Sequence, residues 1–124
     1  MRNFIVIVSI SLILALLSIS EHITVKKFCG EMENSVSVIM EKISLDIADK
    51  KDIEKIENIW KKYKTAVFIF ANHNIFKDYE DCIADMRYYY EFDKKEKLYF
   101  KTYSLYETNK RMMGSVRFDI GNIF

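Results

Sequence analysis

Apolar and polar positions divide this chain near residue 21. From Phe4 to Ser20 no position carries a charge, and Ile, Leu and Val fill every side. As a helix those 17 residues span about 25 Å, near the short end for a bilayer crossing. Ile23 and Val25, beyond the Glu21-His22 pair, extend the apolar character to the full hydrocarbon thickness. The segment has no polar stripe to show to water, unlike a surface helix, and a small domain can hardly surround it. Ser9, Ser11, Ser18 and Ser20 can donate to backbone carbonyls one turn back.

A cleaved signal is the competing reading. Arg2 and the amino terminus form a minimal basic region, and Ser18-Ile19-Ser20 has the small-x-small form of a cleavage site. Against it, the apolar run is longer than a usual signal core, neither serine is the preferred alanine, and no lipobox precedes Cys29. The sequence therefore reads as an anchor over residues 1–22, retained, followed by a domain over residues 23–124. Cleavage near Ser20, which would release a secreted domain, is the alternative. Arg2 argues for a cytoplasmic N-terminus, while Lys26 and Lys27 on the far side blunt that bias. The short N-terminal tail decides for a domain outside the cell.

Beyond the anchor the period changes. Val25, Cys29, Met32, Val36, Ile39, Ile43 and Ile47 recur at three and four, one seam on a helix continuous with the anchor. Asp49-Lys50-Lys51-Asp52 ends it, with Asp52 as cap of the next helix. That second helix carries Ile56, Trp60, Tyr63, Val67 and Phe70, and stops near Asn72-His73-Asn74. A third carries Phe76, Tyr79, Ile83, Met86 and Tyr90. After a turn at Asp93-Lys94-Lys95, a fourth carries Leu98, Thr102, Leu105, Asn109, Met112 and Val116, with Gly121 as its stop. Short connections between helices of similar length make antiparallel neighbours. The fold class is all-α: a transmembrane helix running into an antiparallel bundle of about four helices.

Composition narrows the functions. Proline is absent and glycine occurs three times, so little breaks the helices. Setting Arg2 aside, basic and acidic residues balance, which disfavours nucleic-acid binding because nothing neutralises phosphate. Charge is nonetheless segregated. The second and fourth helices are basic (Lys61, Lys62 and Lys64; Lys97, Lys101 and Arg111), and the third is acidic (Asp78, Glu80, Asp81 and Asp85). An acidic helix between two basic ones favours that arrangement, at under about 1 kcal/mol for each exposed pair.

The anchor, the central Trp60, Phe70-Ala71-Asn72-His73 before an isoleucine, and the terminal Asn122-Ile123-Phe124 together resemble the domain-of-unknown-function family 4363. These are small anchored helical proteins of spore-forming, low-GC Gram-positive bacteria. The resemblance covers nearly the whole chain, although Gly121 stands where a polar or acidic residue is expected before the final triplet. It implies the anchored helical topology, an accessory role beside integral membrane proteins, and no established activity.

No constellation of residues carries chemistry. His22 and His73 lack a second ligand at helical spacing, and the Glu-x-x-His pattern of di-iron bundles is absent. His73, at the end of the second helix, suits a structural role against the helix dipole, and His22 an interfacial one. Asp78, Asp81 and Asp85 share a helical face that reads as solvated. No nucleophile elbow, phosphate loop or zinc motif occurs, so the expectation is no enzyme, cofactor or metal. Cys29 and Cys82, on helices running parallel, fall at similar height; two buried free thiols are favoured over a disulfide between them.

Aromatic residues are the most suggestive feature. Tyr88-Tyr89-Tyr90 covers about 200° of a helix, so one ring at least lies outside the core. Tyr99, Phe100, Tyr103 and Tyr106 repeat the excess on the fourth helix. Such rings are common at interfaces. The candidate interaction surface is Tyr88, Tyr89, Tyr103, Tyr106, Ile123 and Phe124. The functional expectation is a single-span accessory or scaffold for an integral membrane partner, with homo-oligomers allowed. The alternative is a ligand sensor using a cleft between the hairpins lined by Tyr89, Tyr103 and Tyr106.

Overall fold

The computed structural model describes residues 1–123, with side chains through Ser115. Four helices follow in order: α1 (Arg2–Ser44), α2 (Lys50–Phe70), α3 (His73–Glu91) and α4 (Lys95–Ile123). They form an up-down-up-down bundle in which α1 packs on α2 and α4, and α3 on α2 and α4. Among the described residues the backbones of α1 and α3 do not approach one another, and side chains such as Phe28 and Tyr79 meet between them.

α1 runs unbroken for 43 residues, about 64 Å. Its residues 2–20 are all exposed, and one turn later it enters the bundle with Val25, Phe28, Cys29, Met32, Val36, Ile39 and Ile43 buried. Ile47, assigned to the same seam, lies past the helix end and is exposed. Phe28, which the seam omits, is fully buried and is the hub of the core. Its ring meets Trp60, Tyr63 and Tyr79 at centroid distances of 6.0, 5.4 and 5.2 Å.

The two turns far from the anchor share one design. α1 closes with Asp46 in the left-handed region (φ 60°), its N–H bonding the Ile43 carbonyl while the Ile47 N–H bonds that of Lys42. α3 closes likewise, with Asp93 at φ 54° and bonds from Asp93 and Lys94 to Tyr90 and Tyr89. Both are Schellman closures, with aspartate where glycine is usual. α2 then opens on a capping box. Asp49, not Asp52, is its cap: Asp49 accepts from the Asp52 N–H, and the Asp52 carboxylate accepts from the Asp49 N–H at 2.9 Å.

The turn near the anchor is tighter. α2 ends at Phe70, and Asn72 caps α3 by accepting from the Ile75 N–H at 2.8 Å. His73 therefore opens α3 instead of closing α2, which removes the helix-end role expected of it. α4 remains helical through Ile123, so Gly121 is not a stop.

Charge segregation appears as ion pairs between neighbouring helices. Lys64–Glu80 (2.6 Å) and the two-pronged Arg87–Glu57 contact join α2 to α3. Asp85–Lys101 (3.1 Å) and Asp78–Arg111 (2.5 Å) join α3 to α4. Exposure limits each to a fraction of a kcal/mol, so they select register more than they stabilise. The apolar and aromatic interior carries the fold.

Candidate interaction surfaces

One polar network crosses that interior. The Tyr79 hydroxyl donates to Asn109 Oδ1 at 2.7 Å, and Asn109 Nδ2 donates to the Cys29 carbonyl at 2.9 Å. All three residues are buried, so each bond replaces one to water and breaking it strands a partner. Burial pushes the Tyr79 phenol well above its ordinary range, and pushes the Cys29 thiol from 9.0 up to about 12. Both therefore stay neutral. Trp60 stacks on Tyr79 (5.1 Å, 20°) and donates through Nε1 to Glu80 at 3.2 Å. The Lys64 hydrogen bond, chiefly, holds the Glu80 carboxyl below its usual range. These groups clamp α1, α2, α3 and α4 together.

The cysteines are both buried and free. They sit on helices whose backbones do not approach one another, so the disulfide is not formed. Burial raises the Cys82 thiol as well.

The tyrosines do not converge on one cleft. Lys97 lies over the Tyr89 ring, which sets the register of α3 against α4; Tyr103 and Tyr106 then fall about 9 and 14 Å further along the axis. Tyr89 and Tyr106 are half-buried against the core, while Tyr88 and Tyr103 are exposed. Tyr103 lines an α3–α4 groove with Asp78, Cys82, Phe100 and Arg111. Side chains of Ile123 and Phe124, the remaining residues of the expected surface, lie outside those described. A groove of about 540 Å³ runs instead between α1 and α2, lined by polar residues, Glu31, Asn34, Lys55, Asn58 and Lys62 among others.

Most exposed apolar side chains of the domain lie at its two ends, with Val38, Phe100 and Tyr103 between them. At the tip away from the anchor stand Leu45 (61% exposed), Ile47, Tyr88, Phe92 (60%) and Tyr99. Lys95–Asp46 (3.7 Å) joins the two turns, Tyr88 packs on Phe92 at 4.6 Å, and Tyr99 borders a recess with Ile43 and Lys95. In a Schellman closure the residue two past the C-cap usually packs on its own helix; in α1 that residue is Ile47, and it is exposed. Sequence reading missed Leu45, Ile47 and Phe92 as surface residues, because Ile47 fits the helical period and a lone Leu or Phe in a polar turn attracts no notice. At the anchor end, Phe68 (61%) and Ile69 (65%) are exposed beside the α2–α3 turn.

Among the described residues no group of three or more His, Cys, Asp or Glu side chains could hold a metal ion. α1 is long and apolar enough to cross a membrane, and its most apolar 18-residue window is wholly unburied. The chain matches no family model, no curated protein and no solved structure. The family resemblance in the sequence thus rests on its short motifs alone.

Proposed function

We propose that this is a non-catalytic, single-span membrane protein whose helical domain, outside the cell, acts as an accessory or scaffold for an integral membrane partner. The observation that carries the reading is the apolar tip formed by Leu45, Ile47, Tyr88, Phe92 and Tyr99, on a domain whose interior is closed by aromatic packing. Leaving several large apolar side chains in water at one place is costly unless something covers them. The rigid upper part of α1 carries the tip about 35 Å above Ser20, so the partner must reach that height above the lipid.

A photo-crosslinking residue at Phe92, compared with one at Lys55 on the polar α2 face, tests this in intact membranes. A discrete adduct from position 92 only, lost in Leu45→Ser, is expected. An adduct at twice the 14.8 kDa chain mass would make the partner a second copy. Equal labelling from both positions, or none, would sink the scaffold reading. Ligand sensing is the second reading, favoured by the α1–α2 groove instead of a tyrosine cleft. A ligand-dependent rise in melting temperature that Asn58→Leu abolishes would support it.

A further inference from the structure

The anchor end of the domain carries exposed apolar side chains at a level that can be fixed against the lipid. Lys42–Asp52 (2.8 Å) and Lys62–Glu31 (3.9 Å) set the antiparallel register of α1 and α2. Carried toward the anchor, that register puts Phe68 and Ile69 level with Thr24 and Val25 of α1. The uncharged run ends at Ser20, so these side chains stand about 7 Å beyond its end. The headgroup layer on each side of a bilayer is itself about 5–7 Å thick. Ile23, also exposed, lies at the same level on α1, and the exposed Lys26 and Lys27 follow just above it.

Phe68 is also held in place. Its ring meets Phe76 edge-on at 5.3 Å, and Phe76 in turn packs on Trp60 at 5.3 Å, so the exposed ring is braced through α3 to the core. The turn it flanks is only two residues long and is capped by Asn72. A braced aromatic ring at headgroup depth, with an apolar neighbour and lysines one turn above, is the chemistry of an interfacial contact: ring and aliphatic carbon in the acyl boundary, ammonium groups at the phosphates.

The geometry points to a second membrane contact: the α2–α3 turn, through Phe68 and Ile69, rests in the headgroup layer of the bilayer that α1 enters. The domain is then seated on the lipid at two points and stands upright instead of swinging on one helix. This rests on α1 being a span.

Hydroxyl-radical footprinting of the full chain in phosphatidylethanolamine–phosphatidylglycerol vesicles tests it without any substitution. Phe68 and Phe92 are equally exposed in the protein, 61% and 60%, so they are matched reporters at opposite ends. The expected result is oxidation of Phe68 about fivefold or more slower than Phe92, because lipid excludes water and radicals. That ratio must not change when the protein is diluted in lipid. Equal oxidation in a chain that resists alkaline carbonate overturns the contact and leaves the span standing. Release by carbonate overturns the span first, and the contact with it. Protection of Phe68 that fades on dilution in lipid would assign the cover to a second copy and overturn the lipid contact.

Discussion

Residues 2–20 and residues 25–43 belong to one unbroken helix, yet they behave as two materials. The lower part is apolar all round and exposed all round; the upper part is apolar along one stripe and buries that stripe. Backbone geometry is the same in both. The difference lies in what surrounds them: three helices supply an interior for the upper stripe, and nothing among the described residues covers the lower part. A helix that is hydrophobic on every face needs cover on every face, from lipid or from other protein. One that is hydrophobic on a stripe needs only neighbours.

Substitutions that strike one part and spare the other break the comparison most strongly. Arginines at Leu12 and Leu14 place two charges in the lower part, at about 5–7 kcal/mol together by insertion scales. The chain should shift from the carbonate pellet to the supernatant while the thermal melt of the domain is unchanged. Phe28→Ala should do the reverse, lowering stability to urea by about 3–5 kcal/mol with membrane retention intact. If either substitution moved both readouts, the two parts would not be independent.

The buried network sharpens the same contrast. Tyr79→Phe strands Asn109 Oδ1 and should cost about 1–3 kcal/mol in chemical denaturation. The apolar seam of α3 alone does not predict that loss, since phenylalanine packs as well as tyrosine there. A pH series adds a second check. The Cys29 thiol titrates at about 12 folded against 9.0 as its ordinary value. The unfolded chain therefore releases that proton first, and the stability it contributes is complete below pH 9 and lost as pH rises toward 12. Cys29→Ala should flatten this alkaline decline, read as melting temperature against pH, and alkylation of Cys29 near pH 8 should be slow in the native protein.

The smallest effects concern the ends of the upper part. Asp46 and Asp93 hold left-handed backbone that glycine adopts without a Cβ clash. Asp46→Gly and Asp93→Gly should each raise stability by up to about 1 kcal/mol in a urea titration. Since neither removes an apolar side chain, crosslinking from the tip should persist.

Much of the fold is legible in the sequence, and its failures share a cause. The three-four spacing locates all four helices because burial on one side of a cylinder must repeat every 3.6 residues. Phe28 escapes this reading: it follows Lys26 and Lys27, so local polarity masks a residue that becomes the hub of the core. His73 is misplaced because asparagine serves turns and caps equally well, and only the Ile75 N–H bond shows that Asn72 is a cap. The candidate surface is less legible. Tyr103 and Tyr106 are neighbours on α4, their ring centroids 6.4 Å apart, but Tyr89 lies away from them because the register of α3 against α4 separates them, and a count of tyrosines holds no register. Leu45, Ile47 and Phe92 share the tip because two turns distant in sequence, joined by Lys95–Asp46, both lie there.

By itself, then, the sequence determined an all-apolar segment, four amphipathic periods, the breaks between them and a segregation of charge, all of which depend on neighbours a few residues apart. Tertiary structure alone decided which residues touch across the bundle: Phe28 with Trp60, Tyr63 and Tyr79, Asn109 with Cys29, and the two apolar ends of the domain. Those outcomes depend on the rotation and register of each helix against the next, and a period repeated along one helix fixes neither.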